Sequence, residues 1–204
     1  RGIKWFATVT SVTEALAAEA AGADVIIAQG LEAGGHRGSF KTENVSRSLV
    51  GLFALLPAVV DAVKVPVVAT GGIADARGVA AGLLLGASAV QIGTGLLRTP
   101  EAKIASAWAD AIGTALPEDT VTTRAFSGRF GRSIRNAYTE AAEKGPIPAP
   151  YPIQRNITKA MRAGATDIDR MQAWAGQSAG LTRAEPAAEL ISNLWSAAKE
   201  LLIS

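Results

Sequence analysis

The chain has 204 residues, of which 49% are hydrophobic and 19% charged, a composition that excludes intrinsic disorder and provides for a sizeable buried core. Twenty Lys and Arg residues balance 18 Asp and Glu residues without forming a basic block, and only 5% of residues are aromatic, which excludes a nucleic-acid-binding surface. Cysteine is absent, so disulfides, zinc thiolates and a cysteine nucleophile are excluded, and the chain suits a reducing compartment.

The N-terminal residues predict a strand, a helix and a second strand. Residues 3–9 (IKWFATV) are rich in β-branched and aromatic side chains and predict the first strand. Thr10 or Ser11 is the expected N-cap of a helix over residues 12–21. The apolar run 24–29 (DVIIAQ) is typical of a strand that is buried on both faces.

The same alternation continues to residue 115. We expect a helix interrupted by Pro57, a strand, a helix capped by Asp75, another strand, and a helix that starts at Thr99 and Pro100. These elements cover residues 51–63, 65–70, 76–85, 89–92 and 101–115. Four consecutive strand-and-helix units predict a parallel α/β architecture.

Beyond residue 116 the pattern changes. Residues 119–126 predict an extended segment, and residues 145–152 (GPIPAPYP) predict a proline-rich loop. Further helices are expected over residues 158–163, 167–175 and 184–202. We therefore divide the chain into an α/β part, residues 1–116, and a C-terminal extension, residues 117–204, that packs on it.

The ends and apolar runs of the chain bear on its location. The N-terminal RGIKWFATVTS lacks the charged-then-apolar layout of a signal peptide, and no apolar run approaches the roughly 18 residues of a membrane helix. We therefore expect a cytoplasmic protein that does not interact with membranes. The chain also lacks an initiator Met and enters a strand almost at once, which predicts that it begins inside a larger protein.

Two glycine turns, TGGI at residues 70–73 and GTG at residues 93–95, each follow a buried strand and precede a helix. Taken singly, each is explained as a plain tight turn, but two in consecutive units favour a shared phosphate site. In a TIM barrel the phosphate site follows the last two strands, so the chain would start at strand five. The Rossmann and P-loop glycine patterns are absent.

The one histidine, His36, lies in QGLEAGGHRG, residues 29–38, directly after a strand. This is the edge where barrel enzymes place their chemistry, and it is the same side as both glycine turns. Gly34, Gly35 and Gly38 leave the backbone open to a flat ligand. His36 is therefore a candidate acid or base, with a loop histidine bonded to backbone as the alternative. No metal site is predicted, since no second histidine or cysteine could complete one.

The QGLEAGGHRG run resembles the strand-end motif of the FMN-dependent nitronate monooxygenases, long called 2-nitropropane dioxygenases. Residues 69–97 are similar to the phosphate-binding half of that family. TRAFSGR (residues 123–129) and WAGQSAGL (residues 174–181) resemble its C-terminal segments. The FMN-dependent enoyl-acyl-carrier-protein reductases share much of this pattern.

The resemblance implies a (β/α)8 TIM barrel with FMN at its C-terminal mouth, of which this chain supplies strands 5–8 and a C-terminal helical segment. It implies that Gln29 and Gly34 contact the flavin and that His36 is the catalytic base. The phosphate and ribityl chain of FMN would be held by Gly71, Gly72, Gln91, Gly93 and Thr94. The residue patterns alone select His36 and the glycine turns but neither glutamine.

The activity that the resemblance implies is oxidation of small alkyl nitronates or nitroalkanes with O2, with FMN as the electron carrier. Arg37 is interpreted as an exposed loop arginine, with binding of an anionic substrate as the alternative. A homo-oligomer is compatible with the sequence, which identifies neither the physiological substrate nor the oligomeric state.

The family's first strands, with the glycine-rich segment that covers one side of the flavin, have no counterpart here, and a half barrel leaves two open strand edges. Two hypotheses follow. The chain is the C-terminal part of an active FMN oxidoreductase, or it is a truncated, non-catalytic module that binds FMN or phosphate, or that closes its edges by oligomerising. Within the first hypothesis, an NAD(P)H-dependent enoyl reductase is the rival activity, and the sequence holds no independent nicotinamide fingerprint.

Overall fold

The computed structural model describes residues 2–41, 45 and 48–203, and its largest sheet has four parallel strands. In spatial order these strands are β1 (Phe6–Val9), β2 (Val25–Gln29), β4 (Val67–Thr70) and β5 (Ala89–Gln91). Between them in the chain come helices α1 (Val12–Ala20), α2 (Leu52–Ala62) and α3 (Ala76–Leu84). The predicted parallel α/β architecture is confirmed.

The core lies between this sheet and its helices. Ile26 in β2 pairs with Ala7 on one side and Val67 on the other, and its side chain is fully buried. Leu56 and Val59 of α2 belong to the same buried cluster. The unbroken apolar sequence of β2 is explained by this central position, since a central parallel strand is covered on both faces.

Helices α1 and α3 start at the predicted caps, whereas Thr99 makes no side-chain cap hydrogen bond. Ser11 Oγ accepts a hydrogen bond from the backbone N–H of Glu14, and Asp75 Oδ1 accepts one from the N–H of Gly78, at 3.3 and 3.1 Å. The predicted interruption at Pro57 is wrong, because α2 runs through this residue. Pro57 removes one backbone hydrogen bond, but the buried apolar residues on either side of it keep the helix on the sheet.

A second, antiparallel sheet joins the histidine run to the C-terminal extension. Its strands lie in the order β3 (Gly35–His36), β7 (Gly131–Ile134) and β6 (Thr120–Thr123). His36 pairs with Gly131, 95 positions later in the chain. The segment predicted as extended, residues 119–126, contains β6, whereas the sequence analysis did not identify β3 or β7.

Two predicted helices differ in the structure. The helix over residues 101–115 is split into a 3-10 turn, Pro100–Ala102, and α4 (Ser106–Thr114), because Lys103 adopts a left-handed conformation with φ of 50°. Over residues 167–175 only Ile168–Arg170 is helical. Trp174 instead forms an antiparallel bridge with Ser133, so this segment is extended along β7.

The remaining helices lie within residues 117–204: α5 (Ala137–Lys144), α6 (Ile153–Ile157), α7 (Lys159–Ala163) and α8 (Ala187–Ile203). Helix α8 packs against α3. Among the described residues, no helix combines the length and apolar character needed to span a bilayer.

Candidate functional site

The loop that carries His36 is fixed by the last residue of β2. Gln29 Nε2 donates a hydrogen bond to the carbonyl oxygen of His36 at 3.1 Å, and Gln29 Oε1 accepts one from the N–H of Gly38 at 2.8 Å. Both ends of this amide are therefore engaged with the backbone on either side of Arg37. Only the family resemblance places Gln29 at the flavin, and no local sequence pattern predicts these two hydrogen bonds.

Arg129 provides a second brace from the segment between β6 and β7. Its guanidinium donates to the carbonyl of Arg37 from Nε at 3.1 Å and from Nη2 at 3.0 Å, and to the carbonyl of Ser39 at 2.8 Å. The backbone N–H of Arg37 donates to Phe130 at 2.9 Å. The histidine loop is thus held by residues from both parts of the chain.

The interpretation of Arg37 as an exposed loop arginine is wrong, because only 1% of the residue is accessible. Its guanidinium donates to the backbone carbonyls of Gly30 at 2.7 Å, Gln29 at 3.1 Å and Ser48 at 2.8 Å. Burial, with the nearby charge of Arg132, lowers the pKa of Arg37 to about 10, so it remains charged at neutral pH. Arg37 therefore holds the loop together from inside.

His36 lies among aromatic rings and one buried hydroxyl. Its Nε2 is 2.7 Å from Oγ of Ser127, which is fully buried. The centroid of the His36 ring lies 5.2 Å from that of Trp174 and 6.3 Å from that of Tyr151, which meets it edge to face. The hydrogen bond of the imidazole is therefore to a side chain, not to the backbone as in the alternative interpretation of His36.

The charge state of His36 follows from this setting. Burial lowers the pKa of His36 from its ordinary value of 6.5, and the positive charges of Arg129 and Arg155 lower it further. Each effect disfavours the imidazolium form. His36 is therefore neutral at pH 7 and has a lone pair with which to accept a proton.

A cavity of about 350 Å³, here called the histidine cavity, opens beside this ring. No acidic side chain is among its lining residues, which are Thr8, Gln29, His36, Arg37, Gly38, Arg129 and Tyr151. Because Arg129 lies in its wall and no carboxylate opposes that charge, the histidine cavity favours a ligand that is anionic or becomes anionic.

A second cavity, of about 160 Å³, adjoins the first and shares Thr8 and Gln29 with it. We call it the glycine-turn cavity. All seven residues proposed to bind the cofactor line it: Gln29, Gly34, Gly71, Gly72, Gln91, Gly93 and Thr94. The fold therefore brings together residues from three separate stretches of the sequence, next to the one histidine.

The two glycine turns shape this cavity through their backbone. Gly71 and Gly72 have φ of 103° and 72°, which other residues rarely adopt. The N–H groups of Gly71, Gly72, Gly93 and Thr94 donate to no acceptor within the described part of the chain. Unpaired amides at such turns form sites for anions.

The C-terminal segment that resembles the family, residues 174–181, crosses both loops. The N–H of Gly176 donates to Thr94 Oγ1 at 3.0 Å, and the N–H of Gln177 donates to the carbonyl of Glu32 at 2.9 Å. Gly34 permits this crossing, since a Cβ on it would lie 2.6 Å from the backbone of residues 175 and 176. Gly176 and Ser178 thereby line the glycine-turn cavity.

Sequence reasoning assigned no role to several residues that the structure places at the site. They are Ser127, Arg129, Tyr151, Trp174, Gly176 and Ser178. The only signal was that five of them, all but Tyr151, lie in the TRAFSGR and WAGQSAGL segments, which resemble the family without indicating a chemical role. Their proximity to His36 and to the glycine turns depends on long-range packing.

The comparisons with known proteins agree with one another. The family model described as nitronate monooxygenase matches residues 1–197. A probable nitronate monooxygenase of Staphylococcus aureus is 42% identical over 98% of this chain, and the chain spans 58% of that relative's length.

Two solved structures share the fold over essentially the whole chain. Nitroalkane oxidase from Streptomyces ansochromogenes is 40% identical with a TM-score of 0.91, and the match covers 100% of this chain and 60% of that one. FabK from Thermotoga maritima is 32% identical with a TM-score of 0.83, over 99% of this chain and 63% of that one. By its family match, its curated relatives and its structural similarity, the chain belongs to the nitronate monooxygenase family.

Proposed function

We propose that the protein containing this chain is an FMN-dependent oxidoreductase that oxidises alkyl nitronates or nitroalkanes with O2. The observation that carries the proposal is the junction of two cavities, one lined by both glycine turns and the other by His36, which share Thr8 and Gln29. The family match and the similarity to nitroalkane oxidase support the same activity.

The glycine-turn cavity fits the phosphate end of FMN. Its backbone amides at Gly71, Gly72, Gly93 and Thr94 have no acceptor among the described residues, and its lining includes no acidic side chain. Thr94 Oγ1 accepts a hydrogen bond from Gly176, which leaves its proton available to donate. These groups would hold the phosphate and ribityl chain, with Gln91 beside them and with Gln29 and Gly34 toward the flavin ring.

Bound FMN supplies the electron transfer and the reaction with O2. The chain's own residues supply the rest. His36, neutral at pH 7, accepts the proton α to the nitro group, and the electron pair of the broken C–H bond remains on the substrate, which becomes a nitronate. Arg129, in the wall of the same cavity, favours that anion.

We infer that β1, β2, β4 and β5 are strands 5–8 of a (β/α)8 barrel, with residues 1–116 as its C-terminal half and residues 117–204 as an extension packed on it. Four consecutive parallel strands, with the glycine turns after the last two, support this assignment. We infer from the family match that the substrate is a small molecule.

O2 consumption by the full-length protein tests the role of His36. With a nitroalkane, His36→Ala should lower kcat/KM by about 100-fold or more, because general-base catalysis contributes that much. With a preformed nitronate, which has already lost its proton, the same variant should retain most of its activity. Equal losses with both substrates would contradict the assignment of His36 as the base. A wild-type protein that oxidises NADH and does not respond to nitronate would instead be an enoyl reductase.

A further inference from the structure

His36 has two ring nitrogens, and the structure distinguishes them. Nε2 lies 2.7 Å from Ser127 Oγ. Nδ1 has no hydrogen-bond partner among the described residues. Since a neutral imidazole carries one proton, the group that pairs with Nε2 decides which nitrogen is left with the lone pair.

The hydrogen bonds of Ser127 resolve the choice. Its Oγ accepts from the N–H of Arg129 at 3.3 Å and is also 3.2 Å from the carbonyl oxygen of Arg129. A hydroxyl has one proton to donate and two lone pairs with which to accept. If the Ser127 hydroxyl donates to Nε2 of His36, the Arg129 carbonyl is left without a donor. If the hydroxyl donates to the Arg129 carbonyl instead, Nε2–H of His36 donates to the second lone pair of Ser127 Oγ.

The second arrangement satisfies every group in contact with Ser127 Oγ, namely Nε2 of His36 and both the N–H and the carbonyl of Arg129. A buried polar group left without a partner is costly. Ser127 is fully buried, so water does not substitute for a missing partner there. The consistent network is therefore a chain in which Nε2–H of His36 donates to Ser127 Oγ, and the Ser127 hydroxyl donates to the Arg129 carbonyl.

We propose that Ser127 is a positioning residue that keeps the proton of neutral His36 on Nε2, so that Nδ1 is the atom that takes the substrate's α-proton. In that step the substrate C–H bond breaks, an N–H bond forms at Nδ1, and the electron pair stays on the substrate as the nitronate. The resulting imidazolium still donates Nε2–H to Ser127. This inference rests on the proposed function for the identity of the substrate.

The tautomer of His36 is measurable without any substrate. Long-range ¹H–¹⁵N NMR of the full-length protein, with the signal assigned by its loss in His36→Gln, distinguishes the protonated from the bare ring nitrogen. At a pH above the His36 pKa, the protonated nitrogen should be Nε2. In Ser127→Ala the two tautomers should mix, and Ser127→Thr, which keeps the hydroxyl, should restore Nε2–H. A wild-type histidine protonated on Nδ1, or an unchanged tautomer in Ser127→Ala, would overturn the proposal.

Kinetics provides the second readout. Ser127→Ala should lower kcat/KM for a nitroalkane by about tenfold, the loss expected for one orienting hydrogen bond, and leave oxidation of a preformed nitronate unchanged. Ser133→Ala is the matched control, because Ser133 is equally buried and its hydroxyl donates a 2.9 Å hydrogen bond to the carbonyl of Ala173 instead of contacting His36. An equal loss in both variants would overturn the positioning role. If the protein oxidised no nitroalkane or nitronate, the proposed function would fail, and the tautomer measurement would still decide the role of Ser127.

Discussion

At the scale of single residues, His36 and Arg37 are neighbours with opposite roles. Half-buried His36 lines a cavity, whereas Arg37 is almost wholly buried and directs its guanidinium at three backbone carbonyls. Sequence reasoning could select His36, because a single imidazole at a strand end is a local feature. It could not select the orientation of Arg37, which depends on where Gly30 and Ser48 lie after folding.

The pH dependence of nitroalkane oxidation should report the pKa of His36. Because the pKa is lowered, the base is neutral at pH 7, and kcat/KM should fall only as the pH drops through a value below 6.5. Arg155→Gln removes one of the charges that lower this pKa, so the acidic limb should move to higher pH. Lys159→Gln is the control: Lys159 is exposed and is not among the charges that lower the His36 pKa, so the pH at which kcat/KM falls should not change. An unshifted limb in Arg155→Gln would contradict this electrostatic account.

Arg37 should matter for stability. Arg37→Met leaves the carbonyls of Gln29, Gly30 and Ser48 without these donors and should lower the free energy of unfolding by roughly 2–4 kcal/mol. Arg77→Met is the control, since 75% of the Arg77 side chain is exposed and its solvent-screened ion pair with Asp75 should contribute little to stability. Urea unfolding of the full-length proteins measures both, and equal losses would show that Arg37 does not hold the loop.

At the scale of elements, the sequence predicted what local patterns determine. The four parallel strands, their helices and the caps Ser11 and Asp75 follow from apolar runs and capping residues. What it missed depends on pairing between distant segments. Strand β3 has two residues and exists because β7 pairs with it, and Trp174 is extended because it bridges to Ser133. Neither short segment carries the alternation of polar and apolar residues that identifies a strand.

Two glycines of the glycine-turn cavity should respond differently to the same substitution. Gly34→Ala places a methyl group 2.6 Å from the backbone of residues 175 and 176 and should lower the free energy of unfolding by about 1–3 kcal/mol. Gly93 has no atom within 4 Å of an added Cβ, so Gly93→Ala should leave stability within about 0.5 kcal/mol. Because Gly93 lines the glycine-turn cavity, in which we propose that FMN binds, the added methyl group should weaken FMN binding by about tenfold. Urea unfolding and FMN titration of the full-length variants separate packing from cofactor binding, and unchanged FMN affinity in Gly93→Ala would place the cofactor elsewhere.

At the scale of the whole molecule, the described sheet is open. Strands β1 and β5 each have one neighbouring strand among the described residues, and Ala89 and Gln91 of β5 are exposed. Next to the other edge, Trp5 and Phe6 are 45% and 53% exposed. The chain spans about 60% of the length of nitroalkane oxidase from Streptomyces ansochromogenes. Since a closed barrel removes both edges, we expect further strands of the full-length protein to pair with them.

We propose that the glycine-turn cavity and the histidine cavity hold a flavin beside His36, and that the full-length protein oxidises a nitronate there. The most direct measurement is the visible absorption spectrum of the purified full-length protein before and after anaerobic mixing with an alkyl nitronate. We predict a flavin spectrum that loses its long-wavelength absorbance on mixing and regains it when O2 is admitted. A protein that binds no FMN, or a bound flavin that nitronate leaves unchanged, would contradict the claim.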